Sequence, residues 1–199
     1  MTGPFAPGEL SGERARLVPM TPAHAPALLE AGRDEAIWPY LPAHPRTLED
    51  FGCLIAEAVA EREAGHKCPF VIMDLHTGNI VGSTRLTDIF PNHKQAEIGW
   101  TWLAPAAQRT RINTECKFLL LRHAFEAMGL VRVCLKADAR NLRSLHAIER
   151  LGATKEGVLR RHRILPDGFV RDSVCYSVIA EEWPAIKQRL EGLLADDCE

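Results

Sequence analysis

The sequence predicts an α+β protein with a mixed β-sheet, and two observations lead to this fold class. Apolar residues recur at every second position in some segments and at every third or fourth position in others, as expected for strands and helices. The resulting order is one strand, two helices, three strands, a helix, a strand, a helix, two strands and a C-terminal helix. At 199 residues and 46% hydrophobic content, the chain fits one domain. We expect this domain at residues 13–199, after a flexible Pro- and Gly-rich arm at residues 1–12.

The first strand and the first two helices are predicted from apolar runs with capping residues. ARLVPM is read as a short strand, and the helix after it begins with Thr21 as cap and Pro22 in the first turn. The second helix has Thr47 as cap, Asp50 three residues later, and a stop at Gly65. The second helix carries apolar residues at helical spacing.

Three strands follow in the segments FVIMDL, IVGSTRL and AEIGWTWL. The polar turn HTGN between the first two predicts a hairpin. Side chains alternate along a strand, so one face of the third strand is expected to carry Ala96, Ile98, Trp100 and Trp102. The opposite face is expected to carry Glu97, Gly99 and Thr101. This arrangement places a carboxylate beside a glycine.

The second half of the chain alternates helices and strands. A helix from about Asn113 is expected to end at Gly129, and the strand VRVCLKAD follows. The next helix has Asn141 as cap and Gly152 as stop. GVLRRHRIL and SVCYSVIA are predicted strands joined by the turn PDGF, and Trp183 opens a C-terminal helix.

Composition and charge argue against several functional classes. The 24 basic and 26 acidic residues do not suit a protein that coats nucleic acid or an anionic membrane. The run LRRHR could face nucleic acid, but we read it as a solvated strand edge, so neither nucleic acid nor a membrane is expected as a partner. Six cysteines without a C-x-x-C pair are read as buried, reduced thiols in a cytoplasmic protein. His66 and Cys68 form no known metal motif, so no metal is expected.

A loop rich in cations precedes the Asn113 helix, in the segment APAAQRTRINTECK. The start of a helix that follows a strand offers unpaired N–H groups and the positive end of the helix dipole, which together favour an anion. Arg109, Arg111 and Lys117 add positive charge there. The alternative is a capped, solvated helix start.

At this point the chain resembles the GNAT superfamily of acyl-CoA-dependent N-acetyltransferases, and within it the RimJ/RimL-like branch of ribosomal-protein N-terminal acetyltransferases. The resemblance covers roughly residues 11–190. It is carried in order by EIGWTWLAP, QRTRINTE, FLLLRHAFEAMG, VRVCLKAD, NLRSLHAIERLGATKEGVLR and VRDSVCYSVIAEEW. It implies a mixed, mostly antiparallel sheet flanked by helices, and acetyl-CoA as the co-substrate.

The resemblance also implies a coenzyme A site. Gln108, Arg111 and Asn113 stand at the three fixed positions of the family loop Q/R-x-x-G-x-G/A, although both glycines are absent. Main-chain amides of the loop would hold the pyrophosphate, with Asn113 supplying the permissive backbone; the loop residues are Arg109, Thr110, Arg111, Ile112, Asn113 and Thr114. Main-chain N–H groups of Trp102 and Leu103 would contact the pantetheine and the thioester oxygen. Asn141 would bond the pantetheine or simply cap its helix.

Two residues are implied to act in the reaction and two to line the acceptor cleft. Glu97 would be the general base, or alternatively a solvated strand carboxylate. Ser144 resembles the serine of the family's Asn-x-x-Ser pattern, which can act as general acid, or it is an exposed helix residue. Trp38 and Tyr40 match aromatic residues of the acceptor cleft, with core packing as the rival interpretation.

Three functions remain open on the sequence. The leading hypothesis is acetylation of a protein or peptide N-terminal α-amine, and the second is acetylation of a small amine such as an antibiotic or a polyamine. The third is a non-catalytic acyl-CoA-binding module. The resemblance also implies a possible homodimer.

Overall fold

A computed structural model describes residues 8–196, with eight strands in one sheet and five α-helices. The strands are β1 (Leu10–Ser11), β2 (Ala15–Pro19), β3 (Cys68–Asp74), β4 (Ile80–Phe90), β5 (Gln95–Leu103), β6 (Arg132–Asp138), β7 (Thr154–Ile164) and β8 (Val170–Ile179). The helices are α1 (Ala25–Ala31), α2 (Leu48–Glu63), α3 (Arg111–Arg122), α4 (Leu142–Leu151) and α5 (Trp183–Asp196).

The strands are ordered β1-β2-β3-β4-β5-β6-β8-β7. Neighbours are antiparallel except for β5 and β6, which run parallel. The predicted α+β class with a mixed, mostly antiparallel sheet is therefore confirmed. The parallel pairing joins Gln95–Ile98 only to Arg132–Leu135. Beyond that short ladder β5 and β6 separate, and a wedge-shaped gap opens between them.

Helices cover the sheet with a separate apolar core on each face. On one face Ile98 and Val133 belong to a large core that includes Leu119 of α3 and Leu190 of α5. On the other face a smaller core contains the buried side chains Met20, Leu28, Ile37, Trp38, Phe51, Ile55 and Trp102. Since apolar burial stabilises by about 25 cal/mol per Å², the two cores fix the sheet firmly on both sides of the gap.

The folded structure begins before residue 13, which corrects the predicted boundary of the arm. Leu10 and Ser11 pair with β2. The buried Glu115 carboxylate accepts hydrogen bonds from the N–H groups of Glu13 (2.9 Å), Arg14 (2.9 Å) and Ala15 (2.5 Å). The α3 carboxylate thus fastens the turn that joins β1 and β2. Residues 1–7 of the predicted arm lie outside the described residues.

The helix predicted from about Asn113 begins two residues earlier. Thr110 is its N-cap, and the threonine hydroxyl accepts from the N–H of Ile112 at 3.3 Å. A π-helical turn at His123–Ala127 follows α3, and Gly129 with φ 63° ends the helical path as predicted. No helix in the described part of the chain is long and apolar enough to cross a membrane.

The cysteines are less uniformly buried than the apolar runs predict. Cys68 and Cys116 are buried, but Cys134 and Cys175 are half-buried and Cys53 is exposed. The exposed position of Cys53 follows from its place on the outer side of α2. Cys198 lies outside the described residues.

Candidate active site

A β-bulge in β5 shapes the candidate site. Arg85 pairs with Gly99 and Ser83 pairs with Trp102. Two residues of β5, Trp100 and Thr101, therefore lie opposite the single residue Thr84 of β4. Trp100 takes up the extra residue with a φ of 54°. The Arg85 guanidinium lies 4.3 Å from the centre of the Trp100 ring, a cation–π contact that holds this unusual backbone in place.

The bulge reverses the predicted alternation after Gly99. Trp102 packs in the smaller core, whereas Ile98 belongs to the large core on the opposite face. The hydroxyl of Thr101 instead meets Lys117 of α3, at 2.6 Å from its Nζ. The expectation that Trp102 shares a face with Ile98 is therefore wrong, because strict alternation holds only in the absence of an inserted residue.

The gap between β5 and β6 widens into a cleft of about 510 Å³. Ten of the predicted site residues line it, namely Tyr40, Glu97, Trp102, Leu103, Gln108, Arg109, Thr110, Asn113, Asn141 and Ser144. Four do not, namely Trp38, Arg111, Ile112 and Thr114. The structure thus brings together residues that are far apart in the sequence, such as Tyr40 and Ser144.

The start of α3 forms one end of the cleft. Helix geometry directs the N–H groups of the first turn out of the helix end, where they suit an anion. Arg109 has φ 61°, so Arg109, not Asn113, supplies the permissive backbone; Asn113 lies inside α3. The exposed Arg109 side chain lines the cleft.

Arg111 points away from the predicted phosphate position. Its guanidinium lies 2.9 Å from the carboxylate of Glu13 and 3.9 Å from that of Glu115. These two carboxylates hold the side chain on the β1–β2 side of α3. Arg111 therefore braces the N-terminal strands, which corrects the interpretation that its charge faces the anion.

Gln108 connects the two walls of the cleft. Its amide nitrogen donates to the carbonyl of Leu103 at 2.8 Å, and its side-chain oxygen accepts from Arg143 of α4. The Leu103 carbonyl that binds Gln108 faces away from β4. Because the N–H and the C=O of one strand residue point to the same side, the N–H of Leu103 also faces away from β4. Ala104, the next residue, donates instead to the carbonyl of Val81. Leu103 is thus the better main-chain donor of the predicted pair, because the carbonyl of Trp102 lies against β4.

Glu97 lies on the floor of the cleft in an ion pair. Its Oε2 accepts from Nζ of Lys136 at 2.5 Å. Its Oε1 faces Gly99, where an added Cβ would lie only 3.3 Å away. Burial by itself lowers the pKa of Lys136, but the hydrogen bond and the negative charge of Glu97 outweigh burial and raise that pKa. Lys136 is therefore a firm cation, and one oxygen of Glu97 remains directed along the strand.

The start of α4 forms the opposite wall. The side-chain oxygen of Asn141 accepts from the N–H of Ser144 at 3.1 Å. Asn141 therefore caps α4, which was the alternative to binding pantetheine. The cap uses the side-chain oxygen, so the amide NH₂ of Asn141 can still donate to a ligand in the cleft. Ser144 is half-buried and lines the cleft.

The two predicted acceptor residues have different surroundings. Trp38 is 4% exposed; its ring lies 5.1 Å from that of Trp102, and its N–H donates to the carbonyl of Gly32. Trp38 therefore packs in the core, as the rival interpretation stated. Tyr40 lines the cleft, and its carbonyl accepts from Arg171 at 3.0 Å.

Several basic residues of the cleft, among them Lys136 and Arg171, were not predicted to face it, whereas Lys117 was expected to add positive charge near the start of its helix. Lys117 is buried, and burial lowers its pKa to about 8. Lys136 and Arg171 sit at alternating polar positions of strands whose other positions are apolar, and that alternation was the available signal. Their proximity to Glu97 depends on the pairing of β5, β6 and β8, which a single sequence does not give.

Comparison with known proteins agrees with this architecture. Residues 14–154 match the family model for the acetyltransferase (GNAT) domain, and the chain belongs to that family. It is 32% identical over 113 residues to the Bacillus subtilis protein YdaF, named as a candidate ribosomal N-acetyltransferase. That match covers 57% of this chain and 61% of YdaF, so less than two thirds of the relative's length is spanned.

Solved structures are similar over nearly the whole chain. A candidate acetyltransferase from T. thermophilus is 38% identical with a TM-score of 0.86, covering 94% of this chain and 97% of that one. RimJ of Mycobacterium smegmatis, solved in complex with CoA-disulfide, has a TM-score of 0.80 at 24% identity over 94% of this chain and 91% of its own. At 24% identity, the RimJ match shows that the two folds are alike.

No group of three or more metal-ligating side chains occurs among residues 8–196. The carboxylates of the cleft instead bind basic side chains, Glu97 binding Lys136 and Asp138 binding Arg140. The arrangement therefore suits an anionic ligand at the start of α3 and proton transfer near Glu97.

Proposed function

We propose that the protein transfers an acetyl group from acetyl-CoA to a primary amine, most simply the N-terminal α-amine of a protein or peptide. One observation carries the proposal. A single cleft has the start of α3 at one end and the carboxylate of Glu97 between the separated strands. The proposed anion site and the proposed proton acceptor thus line the same cleft.

The residues of the cleft fit coenzyme A. The first turn of α3 and the exposed Arg109 suit a pyrophosphate, and the N–H of Leu103 and the amide NH₂ of Asn141 suit the amide groups of pantetheine. Acetyl-CoA supplies an activated thioester. A main-chain donor directed at a developing oxyanion contributes about 3 kcal/mol to such a reaction. No metal takes part in this proposal.

Glu97 is proposed to take the proton from the amine. The carbon–nitrogen bond forms as the carbon–sulfur bond breaks, and the thiolate of coenzyme A takes a proton from water or from Ser144. Ser144 then regains a proton from solvent, and Glu97 releases the amine proton to solvent. Lys136 keeps Glu97 in place through Oε2, which leaves Oε1 to receive the proton. Positioned acids and bases typically contribute about 10²- to 10⁴-fold.

An α-amine is the easier acceptor for a single carboxylate. With a pKa near 7.7 it is about one-sixth neutral at pH 7, whereas a lysine amine near 10.4 is neutral only a few times in ten thousand. The names of YdaF and of a ribosomal-protein-S5-alanine acetyltransferase from Vibrio fischeri, 20% identical to this chain, motivate testing protein N-termini first. We propose that the reaction takes place in the cytoplasm, where ribosomes and acetyl-CoA meet.

The test compares kcat/KM for three acceptors: a short peptide with a free N-terminus, the same peptide with a blocked N-terminus and one lysine, and a polyamine. The free N-terminus is expected to react best. If the blocked peptide or the polyamine wins, the small-amine or lysine alternative replaces the α-amine. If no amine is acetylated although coenzyme A binds, the remaining hypothesis is a non-catalytic acyl-CoA-binding module.

We also propose a homodimer. The β7–β8 hairpin exposes Ile164 (73%), Val158 (47%), Leu159 (44%) and Phe169 (42%). Such a group of apolar side chains at a sheet edge favours association. Light scattering at micromolar protein is expected to give twice the monomer mass, and a monomer mass would contradict the proposal.

A further inference from the structure

Two arginines face each other beside the acceptor end of the cleft. Arg163 of β7 and Arg171 of β8 are directly opposite in the antiparallel ladder, and both line the cleft. Residues directly opposite in such a ladder have Cβ atoms about 5 Å apart, and like charges there repel. A pair of like charges next to a ligand cleft therefore requires an explanation.

Among residues 8–196, Arg171 donates hydrogen bonds only to neutral groups. It is 8% exposed, its Nε donates to the hydroxyl of Ser173 at 3.0 Å, and its NH1 donates to the carbonyl of Tyr40 at 3.0 Å. Burial lowers the pKa of the Arg171 guanidinium, and the negative charges of Asp138 and Glu97, opposed by Arg163 and Arg140, do not restore it. A guanidinium has five N–H donors, so several remain for a ligand.

Arg163 is exposed and has no hydrogen bond or ion pair with any side chain in residues 8–196. The register of β7 shifts between Leu159 and Arg163, and the Arg163 side chain lines the cleft. The nearby His162 carries no negative charge in either protonation state; its ring is bonded to Ser173, and burial lowers its pKa.

The two carboxylates in this part of the cleft are already occupied. Glu97 is paired with Lys136, and Asp138 binds Arg140 through both oxygens, at 3.0 and 2.8 Å. Their negative charges act on Arg171 from a distance, but neither carboxylate forms an ion pair with Arg163 or Arg171 in residues 8–196. The acceptor end of the cleft therefore has two more cations than carboxylates.

The arginine pair lies on the acceptor side of the sheet. Along β8, Val174, Tyr176 and Val178 point into the large core beneath α3 and α5. Arg171 and Ser173 alternate with them on the other face, where Arg171 reaches Tyr40. The start of α3, the proposed phosphate site, belongs to the opposite side. A ligand group at the arginine pair is therefore part of the acceptor and not of coenzyme A.

We infer that the acceptor carries a carboxylate near its reactive amine, and that Arg163 and Arg171 bind this carboxylate while Glu97 receives the proton of the amine. This inference rests on the proposed amine acetylation and names its substrate class. Paired guanidinium groups bind carboxylates through charge-assisted hydrogen bonds. Two sources have this chemistry: an acidic side chain at the second position of a peptide, and the α-carboxylate of a free amino acid.

The test uses C-terminally amidated peptides that differ only in Glu, Gln or Lys at the second position, together with free glutamate. Acetylation rates and binding by calorimetry in the presence of coenzyme A are both measured. The Glu peptide is expected to exceed the Gln peptide at least tenfold in kcat/KM and in affinity. A preference for free glutamate over every peptide would identify the α-carboxylate as the source.

Variants of the exposed Arg163 test the site without disturbing the core. Arg163→Gln is expected to remove most of the preference for Glu, and Arg163→Glu to reverse it toward the Lys peptide, with the affinity for coenzyme A unchanged. Arg160→Gln, an exposed arginine on the same strand, is the matched control and is expected to keep the preference.

Three outcomes would overturn the inference: equal binding of the Glu and Gln peptides, an unchanged preference in Arg163→Gln, or a loss of coenzyme A affinity in that variant equal to the loss for the peptide. Charge-dependent peptide binding without acetylation would keep the carboxylate site and contradict only the proposed reaction. The two failures are therefore distinguishable.

Discussion

At the scale of the residue, Glu97 has two oxygens in different surroundings. Oε2 is bound to Lys136, and Oε1 is kept open because Gly99 has no side chain. Any larger residue at position 99 would crowd this oxygen. A carboxylate that is oriented by a cation and still has a free oxygen can receive a proton without a change of rotamer.

Replacement of Glu97 by Gln tests this role. The amide keeps the size of the side chain but cannot take a proton at neutral pH, so kcat is expected to fall at least tenfold while coenzyme A binding stays nearly intact. Steady-state kinetics and calorimetry give the two quantities. Glu63→Gln, an exposed glutamate of α2, is the control. Full activity in Glu97→Gln would exclude Glu97 as the base.

Ser144→Ala is expected to act in the same direction but more weakly. Water can also protonate a thiolate, whose conjugate thiol has a pKa near 8.5. The N-cap bond is made by the main-chain N–H of residue 144, so the helix start stays intact in this variant. A loss in kcat as large as that of Glu97→Gln would mean that the serine, not the carboxylate, limits proton transfer.

At the scale of the element, the loop before α3 separates the roles of its two arginines. Arg109 lines the cleft, whereas Arg111 is bound to Glu13. Arg109→Ala is therefore expected to weaken coenzyme A binding, and more at low salt than at high salt, because counter-ions screen an exposed charge. Arg111→Ala is expected to change that affinity less. Calorimetry at two salt concentrations measures both, and an equal effect of the two variants would contradict the assignment.

Within α3, Lys117 is a buried cation that destabilises the folded state. Burial lowers its pKa from 10.5 to about 8, which corresponds to a cost on the order of 3 kcal/mol. Its bond to Thr101 offsets part of that cost. Lys117→Met is expected to raise the free energy of unfolding at pH 7 by about 1–3 kcal/mol, with Lys155→Met at an exposed position as control.

The advantage of Lys117→Met should shrink with rising pH. Below pH 8 both the folded and the unfolded wild type bind the lysine proton, so the full cost is present. Between pH 8 and about 10.5 the unfolded state binds more protons than the folded state, so the stability of the wild type rises relative to the variant. Denaturant unfolding at pH 7 and pH 10 measures this difference. If the difference in unfolding free energy between the variant and the wild type is the same at both pH values, titration of Lys117 does not affect stability.

Elements set by local chemistry could be predicted, and relations between elements could not. Thr47 and Asn141 cap their helices, and Gly152 ends α4 with φ 96°, as their residue types indicate. The bulge at Trp100 could not be read, because an inserted residue is defined only against the partner strand. The direction of Arg111 likewise depends on Glu13, which is remote in sequence but adjacent in space.

The candidate site divides in the same way. Residues that the family resemblance marks, such as Glu97 and Asn141, do line the cleft. Trp38 does not, because its ring is large enough to fill the core beneath the bulge. Lys136 and Arg171 join the site only through strand pairing.

At the scale of the whole molecule, the sheet is held on each face by its own core but is divided by the gap between β5 and β6. Among the described residues, the bond from Arg143 to Gln108 joins α4 to the loop before α3, and the bond from Arg150 to Thr114 joins α4 to α3 itself. A ligand in the gap adds contacts to both walls. Its binding should therefore stabilise the entire fold, and not only the loop that it touches.

Acetyl-CoA is accordingly expected to raise the melting temperature. A ligand present at a hundred times its Kd stabilises the native state by about 2.7 kcal/mol, and 1 kcal/mol shifts the Tm of a domain of this size by about 2–4 °C. The expected rise is thus about 5–11 °C by calorimetry or fluorescence, and Arg109→Ala should need more ligand for the same rise. Adenosine, which lacks the phosphates and the pantetheine, is the control and should give little shift. If acetyl-CoA leaves the Tm of the wild type unchanged at millimolar concentration, the cleft between β5 and β6 is not a coenzyme A site.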